Sequence, residues 1–127
     1  MTYHVCLWID HHEAKIFGIG LAKPEIETVD TKGPRHHIHR KADHVGLGTQ
    51  PASQLFLEEV ATALGAAKAI LIAGPGEAKT ELARYLRNRF PAIAERIWGM
   101  EPMDHPNDAE IVDAARRFFR AADRMHA

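Results

Sequence analysis

The chain has 127 residues, of which 46% are hydrophobic and 26% are charged, a balance typical of a globular domain with its own core. Its single cysteine excludes a disulfide framework within the chain and indicates a reducing compartment. No apolar run reaches the roughly 18 residues of a membrane-spanning helix. The N-terminus has no signal-peptide pattern. We therefore expect one soluble, cytoplasmic domain over residues 1–127, with no membrane partner.

The first predicted elements are three strands. Residues 5–9 are all apolar, so both sets of alternating side chains would be apolar in a strand, which indicates a strand buried on both faces. The short Asp10-His11-His12 segment predicts a turn into a second strand over residues 15–19. A third strand over residues 26–29 has acidic neighbours that indicate a sheet edge.

Helices and strands alternate in the second half of the chain. The apolar stripe over residues 55–64 predicts a helix with Pro51 in its first turn and Gly65 at its end. A buried strand over residues 69–73 leads through Gly74-Pro75-Gly76 into a second helix. A short helix begins at Pro91, a last strand covers residues 97–100, and the final helix is capped by Asn107 and Glu110.

The element order β-β-β-α-β-α-β-α predicts an α/β fold of the ribonuclease-H-like type. We expect a mixed five-stranded sheet in which three antiparallel strands are followed by two right-handed crossovers. Helices should cover both faces of this sheet.

A basic loop at about residues 31–50 separates the third strand from the first helix. Gly33-Pro34 and Gly46-Leu47-Gly48 bracket it, which favours a hinged arm that contacts phosphates rather than a packed segment. The alternative is a solvated loop with no partner. With four phosphate contacts on a single-stranded nucleic acid, a plot of log affinity against log salt concentration would have a slope of about -3. Protonated histidines would strengthen binding below about pH 6.5. The arm contains the cations and histidines Lys32, Arg35, His36, His37, His39, Arg40, Lys41 and His44.

The sequence is a poor match to three other kinds of site: a nucleotide-binding loop, a two-metal site and a zinc site. The turn from Gly74 to Thr80 lacks the Walker glycines, so we predict a tight turn, with Lys79 as a contact for a single phosphate. Asp10 with Glu58 or Glu59 makes an incomplete carboxylate set for two-metal hydrolysis, which favours a turn role for Asp10.

The histidines do not have the spacing of a zinc site on regular structure. We therefore expect no metal and no cofactor. Cys6 lies inside a strand with no adjacent base, and we predict an inert core thiol.

Three segments together resemble a family of translation factors: VCLWIDHHEAKIFGI, LFLEEVATAL and AILIAGPGEAKTELARYL. They are similar to the middle domain of eukaryotic and archaeal peptide chain release factors and of Pelota-type ribosome rescue factors. They also resemble small bacterial single-domain translational machinery proteins. The resemblance covers nearly the whole chain, and its most specific part is the Gly-Pro-Gly-x-x-Lys turn. It implies a ribonuclease-H-like fold and a role in translation.

The family's functional tripeptide is altered in this chain. In release factors the basic loop carries Gly-Gly-Gln, whose glutamine helps to place a water for hydrolysis of the peptidyl-tRNA ester. Here the matching residues are Gly48-Thr49-Gln50. Thr49 restricts the backbone and Pro51 biases Gln50 toward an extended conformation, which argues against this hydrolysis. Pelota-type factors lack the tripeptide and act by binding.

Three hypotheses follow. The leading one is a non-catalytic domain that binds the ribosome, rRNA or tRNA through the arm, with Lys79 as a second contact. The second is a peptidyl-tRNA hydrolase that uses Gln50. The third is a structural protein or homo-oligomer in which the arm packs on a neighbouring subunit.

Overall fold

A computed structural model of the chain describes residues 4–20, 24–31 and 53–126. In this part of the chain, five strands form one sheet in the order β3-β2-β1-β4-β5. The β1–β2 and β2–β3 pairs are antiparallel, whereas the β1–β4 and β4–β5 pairs are parallel. This is the predicted mixed α/β sheet. The strands are β1 (His4–Ile9), β2 (Glu13–Ile19), β3 (Glu25–Asp30), β4 (Ala69–Gly74) and β5 (Ile97–Pro102).

Helices cover both faces of the sheet, as predicted. Helices α1 (Gln54–Leu64) and α2 (Ala78–Arg89) pack on the face that presents Leu7 and Ile72, followed by the short helix α3 (Pro91–Ala94). Helix α4 (Asp108–His126) packs on the opposite face. None of these helices has the length and apolarity needed to cross a bilayer, within the residues described.

The burial of each strand follows its place in the sheet. All six residues of the interior strand β4 are buried, and five of the six in the central strand β1 are buried, because helices cover both faces of these strands. The edge strand β3 is largely exposed and contains Glu25, Glu27 and Asp30. Charged side chains on an edge strand hinder pairing with another chain. The predicted edge position of this strand is confirmed.

Capping side chains fix the starts of two helices. The Ser53 hydroxyl accepts a hydrogen bond from the backbone N–H of Phe56 at 3.1 Å, so α1 begins at Gln54. Pro51, which the sequence predicted in the first turn of this helix, lies outside the described residues. Asn107 and Glu110 exchange backbone and side-chain hydrogen bonds of 2.8 and 2.9 Å, which confirms the predicted cap of α4.

The turn after β4 depends on two glycines. Gly74 has a φ angle of 146°, and a Cβ atom there would lie 2.1 Å from the backbone oxygen of Ile9 in β1. Gly76 has a φ angle of 60°, in the left-handed region, but its surroundings are open. The predicted tight turn is confirmed. Both glycines have a backbone conformation that favours glycine, but only at Gly74 would a side chain also clash with a neighbouring strand.

We expect Gly74→Ala to lower the free energy of unfolding by about 3 kcal/mol, since it adds both a clash and backbone strain. Gly76→Ala should cost about 1 kcal/mol, from backbone strain alone. Urea denaturation measures both values. Gly20→Ala is the matched control, because a Cβ atom there meets nothing within 4 Å. An equal loss for Gly74→Ala and Gly20→Ala would contradict the proposed contact.

Candidate nucleic-acid interface

The carboxyl ends of four strands meet at one side of the sheet, which we call the carboxyl edge. In the β1–β4 pair, Trp8 lies opposite Ala73, and in the β4–β5 pair Gly74 lies opposite Pro102. Strand β3 runs parallel to β1, because each is antiparallel to β2. Its last residue, Asp30, therefore ends at the same edge. Ligands of α/β sheets commonly bind outside the carboxyl ends of parallel strands.

The two described residues that flank the basic arm also lie toward this edge. Thr31 follows β3 directly, and its backbone N–H donates to the carbonyl of His12 at 3.0 Å. Ser53 caps α1, which leads toward the start of β4 at the opposite side of the sheet, where Ala69 pairs with His4. The start of α1 therefore points to the carboxyl edge. The predicted arm residues lie outside the described residues, and they are Lys32, Arg35, His36, His37, His39, Arg40, Lys41 and His44, together with Gly48, Thr49 and Gln50.

Lys79 lies at the same edge, in the first turn of α2. Its ammonium group donates a hydrogen bond of 2.7 Å to the carbonyl of Gly76, so the side chain braces the glycine turn. An ammonium group has three N–H donors, and this bond uses one of them. The structure thus gives Lys79 a structural contact that the sequence pattern did not predict.

The β1–β2 turn is held by the carboxylate of Asp10. Its Oδ1 atom accepts hydrogen bonds from the backbone N–H groups of His12 and Glu13, both at 2.8 Å. This geometry confirms the predicted turn role of Asp10. The other carboxylate oxygen lies 3.8 Å from Nε2 of His105, in the connection between β5 and α4.

A second histidine contact ties the β1–β2 turn to α2. Nε2 of His11 lies 3.1 Å from Oε2 of Glu81, a residue 70 positions away in the sequence. Neither this pair nor the contact between Asp10 and His105 was predicted, because no local pattern links residues so far apart. Both pairs tie the β1–β2 turn to another element near the carboxyl edge, α2 in one case and the connection after β5 in the other.

Carboxylates and histidines do not gather into a metal site in the described part of the chain. Within it, no group of three or more His, Cys, Asp or Glu side chains lies close enough to hold a metal ion. Asp10 is engaged in its turn, and Glu58 is exposed on α1. The structure therefore does not bring the two-metal candidates together.

Cys6 lies in the core beneath α4. Its side chain is fully buried, and this burial, together with the smaller effect of the charge of Glu101, raises the pKa of the thiol to about 12. A thiol with this pKa is protonated at neutral pH and is a poor nucleophile. The prediction of a buried core thiol is confirmed.

Comparison with solved structures shows the fold. The chain is similar to Pelota of Archaeoglobus fulgidus, with a TM-score of 0.64 and 19% identity over 90% of this chain and 30% of that one. Pelota of Thermoplasma acidophilum gives 0.59 and 22% identity over 85% and 30% of the two chains. An archaeal translation termination factor gives 0.52 and 18% identity over 97% and 39%. The sequence matches no family model and no curated protein.

This chain therefore spans about a third of the length of the proteins that it resembles in structure. The predicted likeness to Pelota and to release factors is confirmed at the level of the fold, which is ribonuclease-H-like.

The burial of Cys6 predicts a slow reaction with a thiol reagent. At pH 8, Ellman's reagent should modify the native protein far more slowly than the protein in urea, where the thiol has an ordinary pKa of about 8.5. The absorbance of the released thiolate measures both rates. Equal rates in the two conditions would contradict the buried position of the thiol.

Proposed function

We propose that this chain is a translation-linked domain that binds the ribosome, through rRNA or tRNA, and acts by binding rather than by catalysis. The observation behind the proposal is the position of the two described residues that flank the basic arm. Thr31 and Ser53 both lie toward the carboxyl edge, on a fold shared with Pelota and a termination factor. The proposal treats residues 1–127 as one domain of this kind.

The charge distribution supports a polyanionic partner. The formal net charge of the chain is -1, so the protein as a whole has no strong attraction to nucleic acid. Lys32, Arg35, Arg40 and Lys41 concentrate positive charge within ten residues of sequence. Such a cluster gives local contacts with phosphates and leaves the remaining surface nearly neutral. Lys79, in the first turn of α2 on the same edge, adds a fifth cation.

Replacing Lys32, Arg35, Arg40 and Lys41 together by Ala should abolish most of the binding. If the partner is contacted at four phosphates in single-stranded segments, the logarithm of the wild-type affinity should fall as the logarithm of the salt concentration rises. The slope of this plot should be about -3. The variant should have a slope near zero. Co-sedimentation with ribosomes and filter binding of tRNA, each at several salt concentrations, measure these quantities.

A control variant with the same change in charge separates a local contact from a general effect. Lys68, Arg84, Arg87 and Arg89 are exposed, lie away from the carboxyl edge and can be replaced together by Ala. This variant should bind like the wild type. Equal losses in the two variants, or no ribosome binding at low salt, would contradict the proposal. Native mass measurement of the arm variant tests the third hypothesis, since an oligomer held by the arm would dissociate.

The second candidate function is hydrolysis of the peptidyl-tRNA ester by Gln50. The observation that favours it is Gly48-Thr49-Gln50, which matches the release-factor tripeptide at its first and last positions. Thr49 restricts the backbone, so we expect no hydrolysis above background.

A peptide release assay on ribosomes that hold peptidyl-tRNA tests this second function. The wild type and Gln50→Ala should release peptide at the same rate. A slower rate for Gln50→Ala would instead establish hydrolysis. Thr49→Gly restores the tripeptide, and a gain of release in this variant would show that the backbone restriction suppresses the activity.

A further inference from the structure

The two faces of the sheet are covered unequally. Helices α1 and α2 pack on one face, whereas among the described residues only α4 packs on the other. Five strands with a spacing of about 4.8 Å span roughly 20 Å, and a helix with its side chains is about 10 Å wide. A single helix therefore leaves part of this face uncovered.

A groove of about 610 Å³ lies on this face, between α4 and the edge strand β5. Phe118 of α4 lies directly on Gly99 of β5, where a Cβ atom would approach its ring to 2.7 Å. Trp98 of β5 lines the groove and is only partly buried. Met125 is 85% exposed, so the groove is open at the end of the helix. The groove thus leaves large apolar side chains in contact with water.

Four residues on the groove side of α4 have the spacing of a helix-pairing seam. They follow one another at intervals of four, three and four residues, which is the a/d spacing of a helix that packs on another helix. Ala115 and Phe119 each come one position after a seam residue, so they point about 100° away and are buried in the core. The seam is therefore separate from the side of α4 that packs on the sheet. It consists of Ala114, Phe118, Ala121 and Met125.

The charges of α4 change sign along its length. The helix dipole favours acidic residues in the first turn and basic residues in the last turn, but Asp113 and Arg117 lie outside both turns. Asp123 is the exception near the end of the helix, and it contacts His4 at 3.2 Å. The acidic residues that come first are Asp108, Glu110 and Asp113, and the arginines that follow are Arg116, Arg117, Arg120 and Arg124.

Three of these charged residues lie along the flank of the seam. Glu110, Arg117 and Arg124 are spaced seven residues apart, which is about two turns, so they share one side of the helix. Arg117 lines the groove and therefore places this row beside it. The row begins with a carboxylate and ends with a guanidinium, and Arg117 in its middle is paired with Asp113.

The strand on the other side of the groove extends its acidic end. α4 runs from the carboxyl edge to the opposite side of the sheet, because Asp108 contacts Lys15, which lies opposite Trp8, whereas Asp123 contacts His4 at the start of β1. Glu101, near the carboxyl end of β5, lines the groove. It therefore lies beside the acidic first half of α4.

We propose that this groove is the interface of a homodimer, in which α4 of a second copy packs antiparallel to α4 across a two-fold axis. Glu110 of each copy then faces Arg124 of the partner subunit, and the pairs of Asp113 and Arg117 meet near the axis. The two seams bury each other. A two-fold interface uses the same surface on both copies, so the surface must be complementary to itself. A parallel arrangement would instead place like charges opposite one another.

Strand addition to β5 is a less suitable way to pair two copies. Ile70 of β4 lies opposite Ile97, but Leu71 lies opposite Gly99, so β5 contains one extra residue at Trp98. Such a bulge disturbs the ladder that an added strand would need. Pro102 also lacks a backbone donor at the end of this strand. Helix pairing is therefore the better use of this side of the sheet.

Sedimentation equilibrium of the full chain at several concentrations up to about 1 mM tests the dimer. Ala121→Arg places a long charged side chain in the groove without removing a core contact, because Ala121 is exposed. It should weaken dimerisation by at least about tenfold, since the added charge would be buried without a partner. Ala109→Arg is the matched control, because Ala109 is exposed on the other flank of the same helix. It should dimerise like the wild type.

Reversing the charges tests the antiparallel direction. Arg124→Glu and Glu110→Arg should each weaken dimerisation by about tenfold, because each change turns two attractive pairs of the dimer into repulsive ones. The chain with both changes should recover the wild-type dissociation constant. Glu110 also caps α4 through the backbone N–H of Asn107. Arg124→Glu cannot restore that cap, so recovery identifies the contact between the two copies.

Three results would overturn the homodimer. They are a monomer at every concentration, which would leave the groove to a different partner; equal effects of Ala121→Arg and Ala109→Arg; and a doubly reversed chain that dimerises no better than the single variants. The variant in which Lys32, Arg35, Arg40 and Lys41 are replaced by Ala should stay a dimer. Its conversion to a monomer would assign the interface to the arm instead. None of these results decides the proposed function, which is measured on ribosomes.

Discussion

The contact between the backbones of β1 and β4 at their carboxyl ends is the constraint on which the rest of the structure depends. The carbonyl of Ile9 lies where a Cβ atom of Gly74 would be. This close approach allows the central strands to stay paired up to the point at which the chain turns into α2. A larger residue would separate the two strands at the edge where the connections meet. The positions of the β1–β2 turn and of α2 both depend on this close approach, because β1 and β4 lead directly into them.

The polar side chains at the carboxyl edge lie outside β1 and β4, because these two strands are almost entirely apolar. The interiors of β1 and β4 are buried between two layers of helices, and a charged side chain inside them would lack water. Polar contacts therefore involve the β1–β2 turn, as between His11 and Glu81 of α2 or between Asp10 and His105. They tie this turn to α2 and to the connection after β5. A cationic segment is useful for recognition only if its ends are fixed.

The sequence predicts the fold well where the pattern is local. The apolar residues of β1, the continuous apolar run of β4 and the pair Asn107 and Glu110 each have one physical interpretation, and the structure confirms them. The start of α1 was less clear from the sequence, and the structure shows that the Ser53 hydroxyl forms its cap.

The candidate site is less predictable from sequence, because its contacts join distant residues. The glycine turn identified the edge, but nothing in the sequence shows that Lys79 contacts the Gly76 carbonyl or that His11 meets Glu81. Composition alone indicated the arm, and its contacts stay a prediction because residues 32–52 lie outside the described part of the chain.

The proposed arm contact suits a chain whose total charge is nearly neutral. Four of its cations, Lys32, Arg35, Arg40 and Lys41, lie within ten residues of sequence, whereas the formal net charge of the chain is -1. A basic surface spread over the whole protein would attract every polyanion. A local cluster would instead require that the phosphates of the partner lie where the ends of the arm hold the cations, so that shape as well as charge would select the partner.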